Sequence, residues 1–211
     1  MFGYELPQQI VEHIKSHQRV ELYSNGGKLS REPSPVRAVT VFVTSTPKVL
    51  SDDNRELMES NGVPLVQFDP EMAVCKEFMP SRYFENAPYE GRFFLHGLLD
   101  CYTLFRDWYS NELGIDIPWN IEKPFGWWMR SDSLYLKYMK EAGFSQQRGV
   151  MQRGDVLLFA IGAQVTNHAA VYLGGNEMLH HLNGRLSCVE EFTDRWKSHR
   201  TAICRHERMF V

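Results

Sequence analysis

The chain has 211 residues, 43% of them apolar and 23% charged, with a net charge of −3. That is enough to bury a sizeable core in one domain or two modest ones, and it leaves no basic footprint for nucleic acid. No segment approaches the length of a membrane span, and Met1-Phe2-Gly3-Tyr4-Glu5 opens without the basic and apolar stretches of a secretory signal, so the chain is expected to fold in a cytoplasm. Cysteines stand at 75, 101, 188 and 204, without a C-x-x-C pair or a zinc-like spacing to histidine, so neither a disulfide framework nor a cofactor or metal site is expected.

Ile10, Val11 and Ile14 have helical spacing within 6–17, and Ser24-Asn25-Gly26-Gly27 is a turn signal. Val36 to Val43 is β-branched and reads as a strand; a helix follows from Ser51 or Asp52 to Ser60. Val63 to Phe68 reads as a strand that Pro64 makes short or edge-lying. These elements form a small α/β unit over 1–70, and the proline-bearing stretch 71–87 reads as a linker before a second domain at 88–211.

In the second domain, Cys101 to Leu113 reads as an amphipathic helix with Leu104, Phe105, Trp108 and Leu113 inward and Gly114 as its stop. Pro118 to Met129 is an aromatic loop, and a helix runs from Ser131 to Ala142 with Ser131 or Asp132 as N-cap. Strands are expected at Val156–Ile161, His168–Leu173, Glu177–Leu182 and Thr201–His206, which gives an α+β layout of a helix on an antiparallel sheet.

Asp100 occupies the N-cap position, which puts Cys101 in the first helical turn. There, unpaired amides and the positive end of the helix dipole favour a thiolate and could form an oxyanion hole. The same position also suits a small buried core residue. His168 opens a strand that shares a face with Ala170 and Tyr172. If the Gly174-Gly175-Asn176 loop has two residues, His181 lies opposite His168; if three, His180 joins the His168 face as a diagonal neighbour. Either histidine also reads as a hydrogen-bonded core residue.

Asp100-Cys101-Tyr102-x-Leu104, the strand His168-Ala-Ala-Val-Tyr-Leu-Gly, and Met178-Leu179-His180 twelve positions after His168 resemble the NlpC-type cysteine peptidases, papain-like enzymes that cleave peptidoglycan stem peptides. Gly91-Arg92-x-Phe94-x-His96-Gly97, Arg106-Asp107-Trp108-Tyr109, Trp127-Trp128, Arg153-Gly154-Asp155-Val156-Leu157 and His180-His181-Leu182-x-Gly184-Arg185-Leu186 extend the likeness to the tail assembly proteins of lambda-like phages, over 88–206. The resemblance implies Cys101 as nucleophile, His168 as general base and His180 as the group that orients it. Tyr89, Asp100 and His181 would support the site; Trp127 and Trp128 would line a cleft or pack in the core. His96 reads as structural and Asp155 as a turn residue.

It further implies a JAMM/MPN-type zinc peptidase fold at the N-terminus, built on His-x-His-Pro and a downstream Ser-x-x-Asp. Here Thr44-Ser45-Thr46-Pro47 stands in place of the histidines, and Asp53 alone cannot hold zinc, so that site is expected to be lost, with Glu21 a solvated strand residue. The expected partners are peptidoglycan stem peptides and other tail-tip proteins, with no nucleic acid and no membrane insertion. The expected location is the virion tail tip after synthesis in the host cytoplasm.

Overall fold

The computed structural model describes residues 8–25, 28–31, 38–44, 50–69, 74–80, 87–94, 99–118, 127–129 and 134–210. The chain divides into two compact units, Met1–Phe94 with Asn183–Leu186, and Leu95–Leu182 with Ser187–Val211.

In the first unit, helix α1 (Gln8–Ser16) is followed by strands β1 (Arg19–Asn25), β2 (Lys28–Ser30) and β3 (Ala38–Thr44), helix α2 (Asp52–Asn61), and strands β4 (Leu65–Asp69) and β5 (Val74–Phe78). Ser51 caps α2 by accepting the Asn54 amide, and Gly62 ends it at φ 59°. The helix crosses between parallel β3 and β4, burying Met58 against Val41, Leu50, Val63 and Leu65. The sheet order is β2-β1-β3-β4-β5. Of the two alternatives for the strand after Pro64, the short one holds: β4 has five residues and lies inside the sheet, because it begins after Pro64, whose carbonyl accepts from the Val41 amide and the Thr40 hydroxyl. One expectation needs correction. The expected linker contains β5, which pairs antiparallel with β4, and the unit boundary falls at Phe94.

The second unit contains helices α3 (Cys101–Leu113) and α4 (Leu134–Glu141), strands β6 (Phe144–Gln146), β7 (Val156–Phe159), β8 (His168–Gly174), β9 (Glu177–His180) and β10 (Cys188–Glu191), helix α5 (Asp194–His199) and strand β11 (Arg200–His206). Its sheet, in the order β10-β9-β8-β7-β11-β6, is antiparallel at every pairing, and α3 packs on β8 and β9. Leu104, Phe105, Trp108 and Tyr109 are the buried stripe of α3, while Leu113, expected inward, is exposed in its last turn. The Phe105 and Tyr109 rings meet Phe144, and the Tyr109 ring also meets His206. Asp155 does serve a turn by accepting the Gln152 amide, and it is also fully buried against the Arg205 guanidinium at 2.7 and 2.8 Å, a partner the sequence does not announce. Strands β6 and β10 and helix α5 were not expected from the sequence. Of the described residues, no helix is long and apolar enough to cross a membrane.

Candidate active site

Cys101 is the first residue of α3, and the chain builds that helix start with a complete capping box. The Asp100 carboxylate accepts the Tyr102 and Thr103 amides at 3.0 Å each, while Thr103 Oγ1 accepts the Asp100 amide at 2.9 Å. This fixes the thiol at the positive end of a thirteen-residue helix. It also commits the Tyr102 and Thr103 amides to Asp100, so these two are not the oxyanion donors the sequence suggested.

The thiol is buried, with Sγ 3.0 Å from the Tyr135 hydroxyl on α4. Burial, followed by the nearby Cys101 and Asp100, holds the Tyr135 hydroxyl well above the ordinary phenol range, so it keeps its proton. Tyr135 can therefore donate to a thiolate. Nothing in the sequence marks it beyond an inward position on α4.

The hairpin β8–β9 decides which histidine joins His168. Gly175 and Asn176, at φ 60° and 67°, form the tight turn, a backbone that glycine and asparagine adopt most readily. An irregularity between Tyr172 and Gly174 then shifts the register, so that Tyr172 faces Met178 and Ala170 faces His180. The strand bodies thus take the register expected of a three-residue loop, and His181 does not lie opposite His168. His168 Nε2 is 3.1 Å from His180 Nδ1, with both rings buried. His181 is also buried; with His180 it acts electrostatically on His168, whose imidazole is held well below the ordinary histidine value, burial being the larger cause.

Beyond His180 the chain of contacts continues. Its Nε2 lies 2.9 Å from Glu190 Oε1 and 3.8 Å from Cys188 Sγ, both on β10. The carboxylate contact is one of distance and charge, since Glu190 Oε1 takes no hydrogen bond from the ring, and the donor and acceptor in the His168–His180 pair follow from whichever nitrogen of His180 carries its proton. Trp196 of α5 stacks on the His168 ring at 6.1 Å and meets His180 edge-on at 4.9 Å, shielding the pair. Glu190 and Trp196 lie in elements that sequence periodicity did not reveal.

Among the described residues, neither histidine ring is hydrogen-bonded to Cys101: His168 meets His180, and the thiol meets Tyr135. Trp127 is buried and packs with Tyr135 at 6.0 Å and Trp128 at 6.1 Å, which is apolar packing beneath α4. Tyr89 belongs to the first unit, where the Arg92 guanidinium lies over its ring. Glu21 is exposed on β1 and paired with Arg19. Thr44 ends β3, whereas Thr46 and His96 lie outside the described residues.

The chain belongs to the NlpC/P60 family, whose model matches residues 90–205. It is 43% identical over 159 residues to tail tip assembly protein K of Escherichia phage lambda, a match covering 74% of this chain and 75% of that protein. With tail tip assembly protein K of Escherichia phage N15 it shares 32% identity over 125 residues, covering 58% of this chain and about half, 51%, of that protein. A solved structure of the NlpC/p60 domain of the peptidoglycan hydrolase SagA is similar at 20% identity and a TM-score of 0.38, covering 56% of this chain and 89% of that one.

Proposed function

We propose that the chain is a phage tail assembly protein whose second unit is a cysteine peptidase acting on peptidoglycan stem peptides. The observation that carries the reading is the pairing of His168 with His180 in a domain of the NlpC/P60 family, with Cys101 at a capped helix start. Cys101 attacks the amide carbonyl, His168 Nδ1 takes the thiol proton and delivers it to the leaving amine, and water hydrolyses the thioester. His180 holds His168 in the required tautomer. The packing of α3, which begins with Cys101, on β8 and β9, which carry His168 and His180, supports this. The peptide substrate follows from the resemblance to NlpC-type enzymes.

Purified chain added to peptidoglycan sacculi is expected to release soluble peptide fragments, and Cys101→Ala to release none. Equal release by the variant would remove the nucleophile assignment.

A second reading has a specific observation behind it: among the described residues the thiol is hydrogen-bonded to Tyr135, and His168 to His180. On that reading the chain is a structural tail-tip component whose peptidase site does not turn over. Iodoacetamide labelling separates the two, because a working pair gives a Cys101 rate that rises with pH and falls in His168→Ala, whereas a covered thiol labels slowly in both.

The first unit is proposed to be a JAMM/MPN-like fold that no longer holds zinc and serves as a docking module for other tail proteins. Thr44 at the end of β3, where the resemblance calls for a histidine, supports this. In the full chain Asp53→Ala is expected to leave the number of zinc equivalents bound unchanged, and a loss of one equivalent would overturn this.

A further inference from the structure

We propose that His180, Cys188 and Glu190 form a binding site for one zinc ion, and that its occupation disables the His168–His180 pair. The second half rests on the reading of that pair as base and orienting partner; the first half stands without it.

Strands β9 and β10 pair in a register that sets Cys188 directly across from His180, and Glu190, two residues on, shares its face. The consequence is a convergence of three unlike donors. His180 Nε2 is 2.9 Å from Glu190 Oε1 and 3.8 Å from Cys188 Sγ, and all three donor atoms lie within 4.8 Å of one another. Around a tetrahedral zinc with bonds of about 2.0 Å to nitrogen or oxygen and about 2.3 Å to sulfur, neighbouring donors are roughly 3.3–3.6 Å apart. The two separations from His180 bracket that range, and the third is no more than 4.8 Å, so shifts of up to about one ångström seat the ion. Imidazole, thiolate and carboxylate together suit zinc, whereas calcium or magnesium takes oxygen ligands. His180 and Cys188 are 1% and 2% exposed, which keeps competing water away, and the Glu190 side chain is 26% exposed, which gives a hydrated ion a way in. Three protein donors leave a fourth position for water.

The ion enters between His180 Nε2 and the Glu190 carboxylate. Without the ion, the proton of neutral imidazole can sit on either ring nitrogen. When zinc takes the Nε2 lone pair, the single proton of His180 must sit on Nδ1, from which it donates to His168 Nε2. The proton of His168 is then on its Nδ1, the atom that would receive the thiol proton. Both imidazoles keep one proton each, Cys188 releases its own to solvent, and nothing is oxidised or reduced. Zinc therefore silences the base from behind and leaves the Cys101 thiol unligated.

The test uses the full chain with Co2+ and Zn2+ as probes. Cys101→Ala is expected to bind one equivalent of Co2+ with a thiolate-to-cobalt charge-transfer band, displaced by Zn2+. Cys188→Ser is expected to lose that band and to bind Zn2+ at least ~100-fold more weakly, while Glu190→Gln, which guards against misfolding of the first variant, keeps the band and loses ~10-fold or more. In the otherwise unaltered chain Zn2+ should slow alkylation of Cys101 at least ~10-fold relative to the metal-free chain, an effect absent when Cys188→Ser is compared with its own metal-free rate. A band that persists in Cys188→Ser, or one that disappears in Cys101→Ala, overturns the site. Metal bound as described, in a chain that when stripped of metal still does not digest sacculi, would support the site and sink the peptidase reading alone.

Discussion

Two contacts bear on the proposed chemistry: the Tyr135 hydroxyl on the Cys101 thiol and the Glu190 carboxylate on His180. Tyr135 stays protonated and sits 3.0 Å from Sγ, so it stabilises the thiolate more than the thiol. A hydrogen bond to a charged group is worth about 1.5–3 kcal/mol, and one pKa unit is about 1.4 kcal/mol. Tyr135→Phe is therefore expected to raise the pH midpoint of Cys101 alkylation by about one to two units, read from iodoacetamide rates across pH 6–10 (roughly the thiol range). An unmoved midpoint would make Tyr135 a packing residue. Cys101 and His168 were legible as candidates by residue type and spacing, and His180 only as one of two alternatives until the family resemblance chose it. Tyr135, Glu190 and Trp196 were not, because each reaches the site through tertiary packing of an element whose own sequence is unremarkable in period or charge.

At the scale of single elements, the helix start and the hairpin turn do the positioning. Asp100 satisfies two amides of the first turn of α3, so Asp100→Ala is expected to cost about 1–2 kcal/mol in denaturant unfolding, most of it recovered by Asp100→Asn. In the hairpin, Gly175 is at φ 60° and a Cβ there meets nothing within 4 Å, so the cost of Gly175→Ala is purely that of a left-handed backbone. About 1 kcal/mol is expected, with Asn176→Gly within a few tenths. The glycines announced the turn in the sequence. The irregularity at Leu173 that sets the register did not show, because no side chain signals it, and only that shift brings His180 rather than His181 to the face of His168. Strand β10 was hidden for a related reason: Cys188-Val189-Glu190-Glu191 is short and half-exposed, and its two carboxylates read as solvated.

On the scale of the whole chain, the last strand is placed inside the second sheet, between β7 and β6, although it is the C-terminal segment of the sequence. Cys204, Arg205 and His206 are all buried there, and Arg205 holds the buried Asp155. Removing β11 would expose the backbone edges of β7 and β6 and leave Asp155 as an uncompensated buried charge. Arg205→Met is accordingly expected to destabilise by about 3–5 kcal/mol. His206 adds a pH dependence. Burial is the larger cause that lowers its pKa from the ordinary 6.5, and its Nδ1 accepts the Arg208 amide of the final turn. Above pH 6.5 His206 is neutral in both folded and unfolded chains, and its contribution to stability is complete. As the pH falls below that value the unfolded chain takes up the proton first, so stability declines until the folded pKa is passed. Urea midpoints at about pH 7.5 and pH 5.5, either side of the ordinary histidine value, are expected to fall less in His206→Gln than in the unaltered chain. An equal fall in both would assign the acid sensitivity to other groups.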